Sequence, residues 1–387
     1  MHKLPVSPGR TQEYSLNRRI VFVLTTLSWG GAESQVISLA VALSSRGWTP
    51  TVVSLLDTVP RGSTLRAHGI PVKTLGMRRG LPDIRGIWRL RNILAEARPD
   101  VVHAHMVHAN LLARITRLVT SMPVLVTTAH NVNEGGRFRR ILYRATDRLA
   151  DLTTNVSKAA VRSSISSGAV PPTRIRYMPN GIDMLEFYPN DKARARTRSE
   201  LGIEERFVWL AVGSLQQQKD YPNMISAFTR VASHSANPIL LIVGKGPLRE
   251  EVQAQIMQAG LSDSIRMLGT RQDVPALMNA ADAYLMSSAW EGLPMVLLEA
   301  AASGLPMVST DVGGNEEVVV TGKTGVLVPP KDSEALSSAI NIMMDLEPQA
   351  RRTVGACAAS HARQKFALEG VVDRWEEIYA ELLGPPG

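Results

Sequence analysis

The sequence predicts an α/β protein built from two doubly wound parallel-sheet domains that face each other across a cleft. Three observations carry this. Short β-branched runs alternate with amphipathic helical patterns in both halves, as expected of parallel strands joined by crossover helices. The 387 residues are long for one hydrophobic core and comfortable for two. The charge also divides: residues 1–190 carry 25 Lys+Arg against 11 Asp+Glu, and residues 191–387 carry 18 against 24.

In the first half, strands are expected at 20–25, 50–56, 71–75, 100–105, 124–128 and 151–155. In the second they are expected at 207–213, 238–244, 264–268, 282–286, 306–310 and 326–328. Helical patterns such as 33–46 and 220–234 lie between them. Residues 180–200 contain Pro189 and a charged run from Asp191 to Arg196 without strand pattern, and mark the break. The expected division is a polar tail (1–17), a first domain (18–188), a linker (189–200), a second domain (201–365) and a final helix (366–387) with Trp375 and Tyr379 one turn apart. In such sheets ligands bind at the carboxyl ends of the strands.

Composition sets the outer bounds. At 44% hydrophobic and 20% charged residues, the chain is ordinary globular protein. The single cysteine, Cys357, permits no internal disulfide and suits a reducing compartment. Residues 1–19 are polar and the first apolar run is strand-sized, so neither a secretory signal nor a membrane-spanning helix is expected. The net charge of +8 is concentrated in the first half, which points that half toward an anionic partner. No zinc-finger spacing or aromatic RNA-binding pattern occurs, so a membrane surface or phosphorylated lipid is preferred over nucleic acid.

The most informative stretch runs from Trp290 to Ala300. It is apolar but carries Glu291 and Glu299 with seven residues between them. Gly292, Leu293, Pro294 and Met295 lead into a helix, with Pro294 suited to an early helical position. Unpaired N–H groups of a first helical turn suit a diphosphate. A carboxylate further along would repel phosphate, so Glu299 suits a ribose diol and Glu291 a sugar. A buried helix with one capping and one paired glutamate remains the alternative on these residues alone.

Other motifs follow strand ends. Gly30 and Gly31 sit in the turn Leu27-Ser28-Trp29-Gly30-Gly31-Ala32-Glu33, which opens a helix and also fits a plain tight turn. It is not the dinucleotide fingerprint. His130 ends the fifth strand, where a histidine can donate to a hydroxyl or phosphate. His103, His105 and His108 invite a metal reading, but no cysteine or acid pattern supports zinc. Arg137, Arg140, Arg144 and Arg148 fall near one helical face and Trp88 lies in the basic segment 78–98; either surface fits lipid contact or plain solvation. Met178-Pro179-Asn180-Gly181-Ile182-Asp183 is turn chemistry. Ser214 and Lys219 follow the first strand of the second half, where a lysine can neutralise a diphosphate. Arg271 lies in a strand-end turn, and Val312-Gly313-Gly314 forms another glycine turn.

Together these stretches resemble the retaining glycosyltransferases of family 4, which have the two-domain GT-B fold, across about residues 18–380. The spaced glutamates match the family's E-x7-E signature. The Gly-Gly-Ala-Glu turn, His130 and its context, the Asn-Gly-Ile-Asp turn, and the Gly…Lys turn follow in the family's order. The resemblance implies transfer of a sugar from a nucleotide diphosphate sugar to an acceptor hydroxyl with retained anomeric configuration. His130, Lys219 and Glu291 would serve catalysis. Gly30, Gly31, Ser214, Lys219, Arg271, Glu291, Gly292, Leu293, Pro294, Met295 and Glu299 would hold the donor. His105, Arg137, Arg140 and Arg144 would face acceptor or membrane. The final helix would cross back to the first domain. Two departures stand out: Ser214 where many members have Arg, and Lys245 where Asp is usual. No D-x-D sequence occurs, so a metal-independent reaction without a cofactor is expected. The expected acceptor is a lipid-linked saccharide of bacterial surface polysaccharide or glycolipid synthesis, reached at the inner face of the cell membrane by a cytoplasmic, peripheral enzyme. A non-catalytic nucleotide-sugar-binding subunit of the same fold is the competing reading.

Overall fold

A computed structural model describes residues 17–78, 80, 83–132 and 137–385, without the side chains of Arg137 and Phe138. Residues 1–16 of the expected tail fall outside it. The chain forms two units: Met1–Gly181 with Leu368–Gly387, and Ile182–Ala367.

In the first unit, parallel strands β1 (Arg19–Leu24), β2 (Thr49–Leu56), β3 (Val72–Met77), β4 (Val101–His105), β5 (Val124–Ala129), β6 (Leu152–Asn155) and β7 (Ile175–Tyr177) form one sheet in the order β3-β2-β1-β4-β5-β6-β7. Helices α1 (Gly31–Ser45), α2 (Gly62–Ala67), α3 (Arg85–Ala97), α4 (Val107–Thr116), α5 (Arg137–Thr146) and α6 (Lys158–Ser166) connect them. β1, β4 and β5 are buried almost throughout, which is why their runs are apolar or β-branched rather than alternating. One core layer contains Phe22, Leu24 and Val126, and the opposite layer contains Val21, Val23 and Leu125.

The second unit contains α7 (Asp191–Leu201), β8 (Phe207–Val212), α8 (Tyr221–Thr229), β9 (Pro238–Val243), α9 (Arg249–Gln258), β10 (Ile265–Gly269), α10 (Val274–Ala280), β11 (Ala283–Met286), α11 (Met295–Ala302), β12 (Met307–Thr310), α12 (Asn315–Val318), β13 (Gly325–Val328), α13 (Ser333–Asp345) and α14 (Pro348–Phe366). Its sheet runs β10-β9-β8-β11-β12-β13, all parallel. The strand order reverses between β1 and β4 in the first sheet and between β8 and β11 in the second. A loop that leaves each strand of such a pair turns to opposite faces, which opens a crevice at their carboxyl ends.

Helix α15 (Leu368–Leu383) ends the chain and packs in the first unit. Trp375 and Tyr379 stack with ring centroids 5.5 Å apart, and Trp48 meets Tyr379 edge-on. The Trp48 indole N–H donates to Glu376 at 2.9 Å, and Arg46 reaches Asp373 and Glu376 at 2.5 and 2.6 Å.

Three expectations need correction. The division falls at Gly181/Ile182 and Ala367/Leu368 rather than at 188–200 and 365/366. Ile182 donates its N–H to Phe366 at 2.7 Å and Phe187 is buried, so residues 182–188 belong to the second unit. The expected linker 189–200 is largely helix α7, capped by the Asn190 side chain on the Ala193 N–H. Its polarity hid its packing. Arg194 and Arg198 converge on Asp282 at 2.6 and 3.1 Å and donate to carbonyls at the end of α10. Strand β7 escaped detection because it has three residues, carries Arg176 and lies at the sheet edge.

Candidate functional site

The second unit places its chemistry at the β8/β11 reversal. The chain leaves β8 through Gly213, Ser214 and Leu215 and turns back through a short 3-10 segment, Gln217–Lys219. Ser287, just beyond β11, donates its hydroxyl to the Lys219 carbonyl at 2.7 Å, and Ala289 donates its N–H to the Gln218 carbonyl at 2.8 Å. These bonds lock the two strand-end loops together. Lys219 then meets Glu291, Nζ to Oε1, at 2.6 Å, with side chains 15% and 7% exposed. Gln218 donates to the other carboxylate oxygen at 3.0 Å and to the Trp290 carbonyl at 3.0 Å. The sequence singled out Lys219 and Glu291 separately; it gave no sign that they neutralise each other, and it missed Gln218 altogether.

Glycines make this close approach possible. A Cβ on Gly213 would come within 3.0 Å of the Lys219 chain. Gly244, beyond β9, has φ +149 and a Cβ there would fall 1.8 Å from the Gly213 carbonyl oxygen. Gly313 has φ +59, and a Cβ would fall 2.2 Å from the Glu291 carbonyl oxygen. Gly314 donates its N–H to the Gly292 carbonyl at 2.6 Å. The Val312–Gly314 turn thus clamps the backbone that carries Glu291. Ser214 is half-buried in the first loop, and the Lys245 side chain is exposed while its carbonyl accepts from Leu215 at 3.0 Å.

Gly292, Leu293 and Pro294 lead into α11. Pro294 is its N-cap, with φ −72 and ψ 125, just ahead of the early helical position expected; its extended ψ turns the chain into the helix. Met295 is the first helical residue and is buried. Leu297 donates its N–H to Pro294 at 3.1 Å, so the N–H groups of Met295 and Val296 head the helix. Glu299 follows Met295 by one turn on the same face. Helical side chains lean toward the N-terminus, which carries its carboxylate back toward that start. The buried Tyr284 phenol beneath is held well above its usual range, by burial first and then by the charges of Glu299 and Glu291. Burial likewise raises Tyr221, whose hydroxyl donates to the Gly213 carbonyl at 3.3 Å.

Arg271, expected on the donor, forks onto Asp273 at 2.8 and 2.6 Å. The hydrogen bonds of this pair lower the carboxyl of Asp273 and raise the guanidinium. Its charge is therefore already compensated at the end of β10.

In the first unit, Gly30 is the N-cap of α1 and Gly31 its first residue. A Cβ on Gly30 would lie 2.2 Å from the Glu33 carboxylate, which is itself buried and accepts from Ser28 at 3.0 Å. An acid therefore already occupies the space over the α1 start, a feature that the sequence motif did not suggest.

His103 and His105 share one face of β4, as the strand period requires, with rings 4.0 Å apart. His103 bonds Tyr379 and Thr128, both at 2.7 Å. His105 Nδ1 lies 3.0 Å from His130 Nε2, and His105 is buried. Burial pushes His103 and His105 well below the usual histidine range and His130 down to about 4. His108 is exposed on α4, away from this row, and among the described residues no three metal-ligating side chains converge.

Arg140 and Arg144 are exposed on α5, beside exposed Ile141, while Tyr143 turns inward to Asn110. Arg148 lies in the 3-10 turn after α5, so the expected single helical face is shorter. The Arg137 side chain lies outside the described residues. Among the described residues no helix is long and apolar enough to cross a membrane.

The chain matches known proteins in sequence and in fold. The family described as Glycosyltransferase Family 4 matches residues 29–184, and that described as Glycosyl transferases group 1 matches residues 193–358. The chain is 28% identical to the lipopolysaccharide core biosynthesis mannosyltransferase LpcC of Rhizobium leguminosarum bv. viciae, over 87% of this chain and 94% of that one. It is 26% identical to the UDP-Gal:alpha-D-GlcNAc-diphosphoundecaprenol alpha-1,3-galactosyltransferase of Escherichia coli, over 67% and 70%. HepE of Anabaena, solved in complex with UDP and glucose, shares the fold, with TM-score 0.83, 23% identity and coverage of 94% and 99%. The two parallel sheets are those of the GT-B fold, and with a matching family on each unit the chain is a glycosyltransferase that belongs to family 4.

Proposed function

We propose that this enzyme moves a sugar, with retention of configuration, from a nucleoside diphosphate sugar to a hydroxyl of a lipid-linked saccharide. The observation that carries the reading is the Gln218–Lys219–Glu291 constellation at the strand-order reversal, directly before α11 with Glu299 one turn along. Lys219 supplies the point charge for the diphosphate, joined by the leading N–H groups of α11. Arrival of phosphate draws Lys219 from Glu291 and frees carboxylate oxygens for the sugar hydroxyls. Glu299 takes the ribose diol. His130, at the end of β5, donates to a sugar hydroxyl or phosphate oxygen. The enzyme orients the reactants and stabilises the leaving diphosphate, which takes up the acceptor proton on the same face. With these groups in place the reaction is proposed to need no divalent cation. The relatives named for a diphosphoundecaprenol acceptor and for the lipopolysaccharide core support a lipid-linked acceptor. Incubation with a nucleotide sugar and a polyprenyl-diphosphate saccharide in EDTA is expected to give a product with the donor's anomeric configuration by proton NMR. An inverted product, or a requirement for magnesium, would contradict the mechanism.

We propose that one exposed patch of the first unit meets the membrane. Ile84 and Trp88 of the α3 region stand 75% and 55% exposed, and Leu118 beyond α4 stands 66% exposed. Arg91 lies over the Trp88 ring and donates to the Val119 carbonyl at 3.2 Å, which ties the two segments into one patch. Apolar side chains flanked by arginines suit an anionic lipid interface. Anionic vesicles at low salt should carry the wild-type protein through flotation, and a Trp88→Ser, Leu118→Ser variant should stay behind. Wild type that remains with the soluble fraction would remove the membrane from the reading.

A further inference from the structure

The turn that opens α1 in the first unit holds a carboxylate where burial makes it costly. Glu33 lies in the first turn of this 15-residue helix and is 6% exposed. A buried charge needs compensation, and the partial positive charge of the helix start supplies some of it. Among the described residues the carboxylate takes one hydrogen bond, from Ser28 to Oε1 at 3.0 Å, and no cation pairs with it. Oε2 therefore has lone pairs to spare. Gly30 makes room for it. Its φ of −117 and ψ of 163 are extended backbone that any residue adopts, so the glycine is there for space: a Cβ would fall 2.2 Å from Oε2. The next residue back, Trp29, stands 54% exposed. Its ring is held in place rather than loose. The Arg61 guanidinium lies 5.5 Å from the ring centroid, Arg61 donates to the Ser34 hydroxyl on α1, and the Arg61 N–H donates to the Leu27 carbonyl at 3.4 Å.

We propose that Trp29 and Glu33 form the subsite for a sugar ring of the acceptor, with Trp29 stacked on the ring and Glu33 Oε2 accepting from its hydroxyls. A flat apolar side chain covers the C–H face of a pyranose, and a carboxylate makes short, charge-assisted bonds to hydroxyl groups. The same charge repels a phosphate, and among the described residues no three metal-ligating side chains converge to hold a cation instead. The turn follows β1 at the β1/β4 reversal, so the pair stands at the carboxyl ends of the strands, where the first sheet opens its crevice. The role of the subsite rests on the reading that the enzyme glycosylates a saccharide. Glu33 orients the acceptor ring, and Trp29 selects the ring face that it admits.

The test varies the polyprenyl-diphosphate saccharide at saturating nucleotide sugar. Glu33→Gln keeps the side-chain shape and removes the charge. It should raise the acceptor KM about tenfold or more, the scale of a lost charged hydrogen bond, and leave donor affinity by calorimetry within about twofold. Trp29→Leu should act in the same direction, and so should Gly30→Ala, which drives Oε2 from its place while Glu33 stays. An acceptor KM unchanged in folded Glu33→Gln and Trp29→Leu would overturn the proposal, as would a loss of donor affinity with the acceptor KM unmoved. The Trp29 indole N–H gives a reading that needs no turnover; in protein labelled with 15N-tryptophan it is the signal absent from Trp29→Leu. Methyl glycosides should shift this signal in wild type and less in Glu33→Gln. If they do while the polyprenyl-linked saccharide is not glycosylated, the sugar subsite stands and the lipid-linked acceptor fails. If neither the glycosides nor the lipid-linked saccharide shifts it, the subsite fails.

Discussion

Replacing Lys219 with methionine is expected to slow glycosyl transfer by about a hundredfold or more, the scale of removing one charge-stabilising donor from a reacting group. The same change should also destabilise the second unit. Lys219 and Glu291 pair at 2.6 Å with little exposure, and removal of the cation leaves the Glu291 carboxylate buried with the neutral Gln218 amide as its hydrogen-bond donor. Breaking a buried pair from one side costs about 3–5 kcal/mol, whereas replacing both partners together is often nearly neutral. Lys219→Met combined with Glu291→Gln should therefore recover most of the stability in urea unfolding and none of the transfer. This separation matters because a buried ion pair can be structural alone. If the double variant recovered activity along with stability, Lys219 and Glu291 would be structural only. Full activity in Lys219→Met alone would remove the lysine from the diphosphate.

Acid should unfold the first unit ahead of the second. His103, His105 and His130 are held neutral by burial, with His130 down to about 4 and the other two well below the usual range. An unfolded chain titrates its histidines near 6.5. Between those values the unfolded state binds protons that the folded state refuses, so stability is full above about pH 6.5 and falls as the pH drops toward 4. Each histidine so held steepens that loss, because it takes up a proton on unfolding that the folded state refuses. His234 and His361 in the second unit are only half-buried. Hydrogen exchange should show β4 and β5 losing protection between pH 6 and 5 while β8 and β11 retain theirs. Equal loss in both sheets would mean that the histidine row is not what limits acid stability.

The sheets were legible because buried parallel strands are written as short apolar runs of fixed length, such as those of β1, β5, β8 and β9. Glu291 and Glu299 were legible because carboxylates in an apolar stretch are conspicuous. Pairing was not. The Lys219–Glu291 contact spans 72 residues and depends on loop closure by Ser287 and Ala289, which no local pattern encodes. His103 meets Tyr379 across 276 residues, so the histidines could be read as a cluster but not as a row anchored by the last helix. Helix α7 was missed for the opposite reason: its burial is done by arginine side chains reaching carbonyls and Asp282, and composition registers them only as polar. Arg271 shows the limit of assigning a cation from its loop alone, since Asp273 two places on claims it.

The loops after β8 and β11, with α11, are proposed to hold a nucleoside diphosphate sugar. Calorimetric titration with UDP-, GDP-, ADP- and dTDP-sugars, on wild type beside Glu299→Ala and Lys219→Met, tests it most directly. One nucleotide class is expected to bind wild type at one site per chain, and each substitution to weaken it by about tenfold or more. Folded wild type that binds none of the four, or variants that bind the same donor as tightly as wild type, would contradict it.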